Sequence, residues 1–247
     1  MSAMEENRTA IITGASRGIG VALAKRLAAD GFAVVINYAN SATAAEELAE
    51  SLKSDGHKAI AVKADIARPD AVTALFDKTI AEFGWVDVIV NNAGVMTTQP
   101  IAEMNDATFD AMMDINVRGT FNMLREGAKH LRDHGRVINF STTALHLKLP
   151  GYAVYNATKA AVEAMTAVYA KELRGRQITV NAVAPGPVAT ELFLSGKTDE
   201  QIAQFSKMPP LERLGQPDDI AGVVSFLAGT DSGWVDGQTL RANGGLA

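Results

Sequence analysis

Short β-branched runs alternate with longer helical patterns along most of the chain, and this alternation restricts the fold more than any other feature. Thr9–Thr13, Ala33–Asn37, Ala59–Lys63, Val86–Val90, Arg136–Phe140 and Thr179–Val183 read as strands, with Gln238–Arg241 a shorter seventh. Between them apolar residues recur at helical spacing, as in Val21, Leu23, Ala24, Leu27 and Ala28, or Val72, Leu75, Phe76 and Ile80. Such an order calls for right-handed strand–helix–strand crossovers. The expected fold class is α/β: a doubly wound, parallel seven-stranded sheet with helices on both faces, formed by one domain over residues 1–247. Asp30-Gly31 and Asp55-Gly56 end the first two helices, and Pro69-Asp70 opens the third. From about Thr190 to Pro217 the alternation yields to Gly196, Pro209, Pro210 and Gly215 around a short helical pattern, Asp199–Phe205. An insertion of that length is expected to be a lid or substrate loop.

Composition narrows the partners. Acidic residues outnumber basic ones 28 to 23, and no basic cluster exceeds pairs such as Lys25-Arg26, so no nucleic acid is expected to bind. The absence of cysteine rules out disulfides, thiolate metal sites and a cysteine nucleophile, and it fits a cytoplasmic location. No apolar run approaches the ~20 residues of a membrane span. Met1 to Glu6 is acidic where a signal peptide would be basic and then apolar, so neither a membrane nor export is expected.

The first strand runs through Thr13-Gly14-Ala15-Ser16-Arg17-Gly18-Ile19-Gly20 directly into a helix. Glycines there let backbone N–H groups approach a pyrophosphate, and the helix N-terminus adds partial positive charge. In this strand–turn–helix context the spacing points to a dinucleotide. The same residues spell the G-x-S-x-G of a hydrolase elbow, but the sheet has only begun at Ser16 and no histidine follows a late strand. His57, His130, His134 and His146 lack the glutamate of a zinc-protease motif and read as solvated helix ends, so no metal is expected. Asn91-Asn92-Ala93-Gly94 ends the fourth strand and Ser141-Thr142-Thr143 the fifth. In doubly wound sheets ligands bind outside these strand ends. Tyr155 and Lys159, four residues apart, share one face of the following helix. An ammonium beside the phenol is expected to lower its pKa from ~10, allowing proton exchange with an alcohol or carbonyl.

Together these residues resemble the classical short-chain dehydrogenases/reductases, specifically the 3-oxoacyl-[acyl-carrier-protein]-reductase-like members, from Thr9 to about Gly245. Six motifs carry the resemblance: the glycine loop, Asn91 to Gly94, Asn116 within Asp114-Ile115-Asn116-Val117, Tyr155-x-x-x-Lys159, Pro185-Gly186-x-x-x-Thr190 and Asn243-Gly244-Gly245. The resemblance implies a Rossmann domain and a catalytic group of Asn116, Thr142, Tyr155 and Lys159. Tyr155 would be the general acid for ketone reduction. Lys159 would hold the nicotinamide ribose and lower the tyrosine pKa, and Asn116 would anchor a relay water. Asp65 and Ile66 would border the adenine, Asn92, Ala93 and Gly94 the adenosine ribose, and Pro185, Gly186, Val188 and Thr190 the nicotinamide. The family places a serine thirteen residues before its tyrosine, where this chain has Thr142, with Ser141 one step earlier. Thr142 is the expected substitute, since its hydroxyl still donates while its methyl narrows the pocket. Members are usually tetramers, so a homotetramer is implied.

NAD-preferring relatives carry an acid at the end of the second strand. Here that strand ends Asn37-Tyr38-Ala39-Asn40-Ser41, with no acid before Glu46. Arg17 stands where a 2′-phosphate would be met, and Asn37, Asn40 and Ser41 offer neutral donors, so NADP(H) is the expected cofactor. The small-molecule carbonyl or alcohol is less legible. Met96, Leu145, His146, Leu147, Tyr152, Phe193 and Leu194 suit a hydrophobic ketone or an acyl chain, while Lys129, Arg132, Arg174 and Arg176 could form a basic rim for an acyl carrier protein or lie as solvated helix ends. A non-enzymatic dinucleotide-binding regulator would keep the glycine loop and lose the Tyr155/Lys159 pair; an extended epimerase would need a larger C-terminal region.

Overall fold

The computed structural model describes residues 8–247; the acidic Met1 to Glu6 stretch lies outside them. In chain order the elements are β1 (Thr9–Ile12), α1 (Ile19–Ala29), β2 (Ala33–Tyr38), α2 (Ala42–Ser54), β3 (Ala59–Lys63), α3 (Pro69–Phe83) and β4 (Val86–Asn91). After a 3₁₀ turn (Ile101–Glu103) come α4 (Asp106–Met112), a π-helical stretch (Met113–Gly119), α5 (Thr120–His130), β5 (Leu131–Phe140), α6 (Ala144–Leu147) and α7 (Ala153–Glu172). β6 (Thr179–Pro185), α8 (Glu191–Leu194), α9 (Asp199–Lys207), α10 (Pro217–Ala228) and β7 (Thr239–Ala242) complete the order.

The seven strands form one parallel sheet in the order β3-β2-β1-β4-β5-β6-β7. Every residue of β1, β2 and β4 is buried, because helices cover both faces and leave no polar alternation. Neighbouring residues of β1 feed different layers. Ile12 joins Leu23, Leu27, Leu48 and Val224 under α1, α2 and α10, whereas Ile11 joins Leu75, Phe76, Met123 and Tyr169 under α3, α5 and α7. The turns that end α1 and α2 rest on Gly31 and Gly56 at φ 91° and 87°, where a side chain would be strained. The strand order reverses between β1 and β4, so the crevice lies beyond their carboxyl ends.

Two features depart from the sequence expectation. β5 begins at Leu131, ahead of the expected Arg136; its register against β4 shifts between Val86 and Val88, and His134 turns through φ 65°. The polar run Arg132 to His134 conceals that early start. Asn116 sits in the π-helical stretch, a widening that period-3.6 patterning does not reveal. Among the described residues no helix is long and apolar enough to cross a membrane, and no group of three His, Asp or Glu could hold a metal ion.

Candidate active site

The glycine turn is shaped by what surrounds it. Gly14 and Gly18 have φ of 62° and 56°, and a Cβ on Gly14 would stand 2.9 Å from the Cα of Ala93. A Cβ on Gly20 would meet the Gly14 carbonyl at 2.5 Å. No other residue type fits these two approaches. The turn is tied down from β4: Asn92 Nδ2 donates to the carbonyls of Thr13 and Gly14 at 2.9 and 3.1 Å, and the Ala93 amide donates to Thr13 Oγ1 at 3.0 Å. From β2, the Asn37 carbonyl accepts the Ala15 amide at 2.9 Å. No side chain caps α1, so its first N–H groups remain open beside a Cβ-free cradle flanked by the part-exposed Ser16 and Ile19. That arrangement fits a dinucleotide pyrophosphate.

The end of β2 corrects two expectations. Asn37 is buried, and its amide is spent on the carbonyls of Val62 (3.3 Å) and Ala64 (3.0 Å) while its oxygen accepts from Gly14 N (3.4 Å). It braces the glycine turn and has no donor left for a phosphate. Tyr38 packs into the core beneath α2. Ala39, Asn40 and Ser41 are exposed, as is Arg17, which makes no ion pair among the described residues. At the end of β3, Ile66 turns into the seam with Gly119 and gives its carbonyl to Asn122 Nδ2 at 2.9 Å. Asp65 is the exposed member of that pair, its side chain accepting the Ala67 amide at 3.0 Å.

Beyond β4 and β5 four polar side chains converge. β5 ends at Phe140, so the next two hydroxyls no longer obey strict strand alternation and both reach α7. Ser141 Oγ donates to Glu163 Oε1 at 2.5 Å, whereas Thr142 Oγ1 accepts the Ala144 amide at 3.2 Å and lies near enough to the Tyr155 phenol, two helical turns earlier, to act on its pKa. Lys159 is buried; its Nζ donates to the Phe140 carbonyl at 2.8 Å and sits 5.9 Å from the Tyr155 ring centre, with no carboxylate paired to it among the described residues. A Cβ on Gly94 would lie 3.4 Å from that Nζ and 3.2 Å from Asn116 Oδ1, so the ammonium looks onto the Asn92–Gly94 turn. Asn116 is fully buried. Its Nδ2 donates to Val95 O and Thr158 Oγ1 at 2.9 and 3.0 Å, and its Oδ1 accepts Val95 N at 2.9 Å. Both amide donors are therefore used within the chain, bracing the loop after β4 against α7; the expected water anchor would have to use another atom.

The proton chemistry also differs from expectation. Burial pushes the Tyr155 phenol up to about 12, with Thr142 opposing the rise, and pulls Lys159 down to about 8. Loss of water is the dominant cause at both groups, and Tyr152 adds to the rise at Tyr155. Tyr155 is thus a neutral phenol at pH 7, suited to donating a proton rather than taking one.

Pro185, Gly186, Val188 and Thr190 line the end of β6, where a Cβ on Gly18 would come within 3.6 Å of Thr190 Cγ2. The segment beyond them is a looped excursion. Its base is closed by Ala189 N to Gly215 O and Gly215 N to Pro187 O, both at 2.9 Å, and within it Phe193 packs edge-on against Phe205 at 5.2 Å. Tyr152 stands edge-to-face with Tyr155 at 6.5 Å. The four basic candidates lie elsewhere. Lys129, Arg132, Arg174 and Arg176 cluster where β5 and β6 begin, at the opposite edge of the sheet, because parallel strands carry their starts and ends to different sides. Sequence reasoning named Thr13 and Asn243 within motifs without giving either a role, and it did not single out Glu163.

Known proteins are similar to the chain over nearly its whole length. A family model described as enoyl-(acyl carrier protein) reductase matches residues 14–247. A short-chain type dehydrogenase/reductase of Picea abies is 44% identical over 248 residues, covering 96% of this chain and 92% of that one. A versicolorin reductase of Emericella nidulans is 39% identical over 252 residues, with 97% and 96% covered. Among solved structures, a short-chain dehydrogenase/reductase from Serratia marcescens superposes with a TM-score of 0.93 at 38% identity, covering 98% of both chains. An angucycline C-6 ketoreductase solved with bound NADP superposes at 0.91, with 36% identity and 97% and 95% covered. On the sequence, the sheet order and these likenesses, the chain belongs to the short-chain dehydrogenase/reductase family.

Proposed function

We propose that the chain is an NADP(H)-dependent oxidoreductase that interconverts a ketone and an alcohol, with Tyr155 as the proton donor. One observation carries the reading: the Tyr155 phenol, with Thr142 beside it and the buried Lys159 ammonium 5.9 Å from its ring, stands where the strand ends meet the glycine cradle. NADPH, when bound, supplies the hydride. The Thr142 and Tyr155 hydroxyls converge to receive a carbonyl oxygen and to hold the negative charge it develops. Tyr155 then gives its proton to that oxygen, and the Lys159 ammonium favours the phenolate left behind. In the reverse direction the same phenolate takes the alcohol proton.

Arg17, Ala39, Asn40 and Ser41 form an exposed surface without an acid, which favours a 2′-phosphate over a bare ribose. The bound NADP of the angucycline ketoreductase supports the same choice. Met96, Leu145, Leu147, Tyr152, Phe193 and Leu194, the expected substrate residues, are apolar or aromatic, which favours a ring-bearing ketone, and the names of the versicolorin and angucycline reductases agree. A carrier-protein-tethered acyl chain is disfavoured, since the basic residues sit at the far edge of the sheet. Exposed apolar side chains favour a homotetramer: Ile101 in the 3₁₀ turn, Phe109 on α4, Phe121 on α5 and Val168 on α7, and separately Phe226 on α10 and Trp234, which is 99% exposed.

The test is NADPH oxidation over polycyclic ketones, quinones, simple ketones, β-ketoacyl thioesters and sugars. Turnover is expected first with ring ketones. Tight NADPH binding with no turnover of any carbonyl would favour a dinucleotide-binding regulator and overturn the reading. Light scattering at micromolar concentration should give four times the chain mass.

A further inference from the structure

The Asn243-Gly244-Gly245 motif joins three parts of the site. Asn243 is 9% exposed and its side chain is fully engaged. Its Nδ2 donates to Thr143 Oγ1 at 3.2 Å and to the Ala247 carbonyl at 3.0 Å, while Oδ1 accepts the Gly245 amide at 3.1 Å. Thr143, the residue after Thr142, is itself locked to β6: its hydroxyl donates to Ala184 O at 3.2 Å and its amide to Pro185 O at 2.9 Å. The Ala242 carbonyl accepts the Gly186 amide at 3.0 Å, and a Cβ on Gly186 would stand 2.9 Å from the Asn243 Cα. On the other side Gly244 and Gly245, at φ 65° and 87°, lie against Pro209 and Pro210, where the looped excursion returns; an added Cβ on either would come within 3.1 Å of the proline ring.

We propose that Asn243 is a positioning residue for the transfer step. Through Thr143 it holds the Thr142 hydroxyl in register with Tyr155, and through the Gly244-Gly245 turn it ties that register to the seat of the 190–214 excursion. Only an asparagine side chain of this length supplies two donors and an acceptor; aspartate would leave Thr143 Oγ1 and the Ala247 carbonyl without a donor and set a charge against that carbonyl. A shift of under an ångström at Thr142 is enough to misplace the carbonyl oxygen. The catalytic half of this inference rests on the carbonyl-reductase reading, and the coupling half does not.

The experiment therefore has two arms, applied to Asn243→Ala, Asn243→Asp and Thr143→Val. Hydrogen exchange is followed in peptides covering 140–147 and 208–215, and reduction is measured with NADPH deuterated at the transferred position. Protection should fall in both peptides of the Asn243 variants. kcat should fall ~10-fold with a larger deuterium effect, KM for NADPH should move by less than about threefold, and Asn243→Ala combined with Thr143→Val should be no worse than either alone. Faster exchange confined to 208–215 and the tail, with kcat within about twofold and the isotope effect unmoved, overturns the proposal and leaves Asn243 a structural cap. If no carbonyl is reduced by the wild type, the functional reading fails, and the exchange arm still decides the coupling by the same criterion. Where Asn243→Ala does not fold, Thr143→Val removes the same contact from its other end and must show the same pair of effects.

Discussion

At the edge where the strands begin, most cations meet a carboxylate, ring or carbonyl; at the edge where they end, Arg213 pairs with Asp219 at 2.6 Å, but Lys159 and Arg17 meet no carboxylate among the described residues. Below, the Arg132 guanidinium lies over the Trp85 ring at 4.6 Å and 3.6 Å from Asp87, which in turn accepts the Thr9 amide at 2.7 Å. Lys129 meets the buried Glu126 at 2.9 Å, Arg176 meets Asp133 at 2.8 Å and also donates to the Leu131 carbonyl, and Arg136 donates to three backbone carbonyls. Above, Lys159 is buried with one carbonyl for company and Arg17 is exposed without an ion pair among the described residues. What separates Lys159 and Arg17 from the cations below is the lack of a paired carboxylate among the described residues. An uncompensated buried ammonium costs stability, and a site retains it because negative charge arrives during the reaction.

The largest effect that separates the two edges should come from Tyr155→Phe. Deleting the phenolic proton alone should lower kcat by ~10²–10⁴ while the Kd for NADPH, read by its fluorescence, stays within about threefold. Next, Thr142→Val should lose ~10²-fold in kcat because it removes a donor to the developing oxyanion, whereas Thr142→Ser should retain turnover within a few-fold. Ser141→Ala, whose hydroxyl serves Glu163, should keep most activity; a dead Ser141→Ala with a competent Thr142→Val would exchange the two roles. A smaller effect belongs to the cofactor surface. Arg17→Ala with Ala39→Asp should cut the NADPH-over-NADH ratio of kcat/KM by ~10–100-fold, the equivalent of one charge-assisted contact. Ala39 is the place for the acid because Tyr38 is core. Least of all, Lys129→Ala and Arg174→Ala should leave kcat within about twofold on every substrate, β-ketoacyl thioesters included, since both lie where the strands begin and neither faces the crevice. A large thioester-specific loss there would restore the basic-rim idea.

The strands and turns were legible because period, glycine placement and proline placement all report local backbone preference. Gly31, Gly56 and Pro69 stand where those rules put them. The convergence of Tyr155, Lys159 and Thr142 was legible through motif spacing. What spacing does not carry is competition for a side chain. Asn37 looks like a free donor beside a phosphate site until the carbonyls of Val62 and Ala64 claim it, and Asn116 looks like a water anchor until Val95 and Thr158 do. Nor does spacing carry burial, which reverses the expected direction at Tyr155. For Lys129, Arg132, Arg174 and Arg176 the sequence left a basic rim and solvated helix ends both open, because it does not mark which edge of the sheet a helix end reaches.

Lys159→Met, compared with the wild type by thermal unfolding and NADPH-dependent reduction from pH 7 to pH 10, measures most directly whether the upper edge gives up stability for chemistry. In the fold Lys159 loses its proton near 8, against 10.5 for the free side chain. Between those values the unfolded chain binds more protons, so wild-type stability rises with pH across that window, and below it the full penalty of the buried charge is present. Methionine carries no such penalty. The variant should therefore melt higher than the wild type at pH 7, the gap should close as pH climbs through 8 toward 10, and turnover should fall by ~10² or more. A variant that melts lower at pH 7 with a gap indifferent to pH, or one that keeps wild-type turnover, would contradict the division of labour between the two edges.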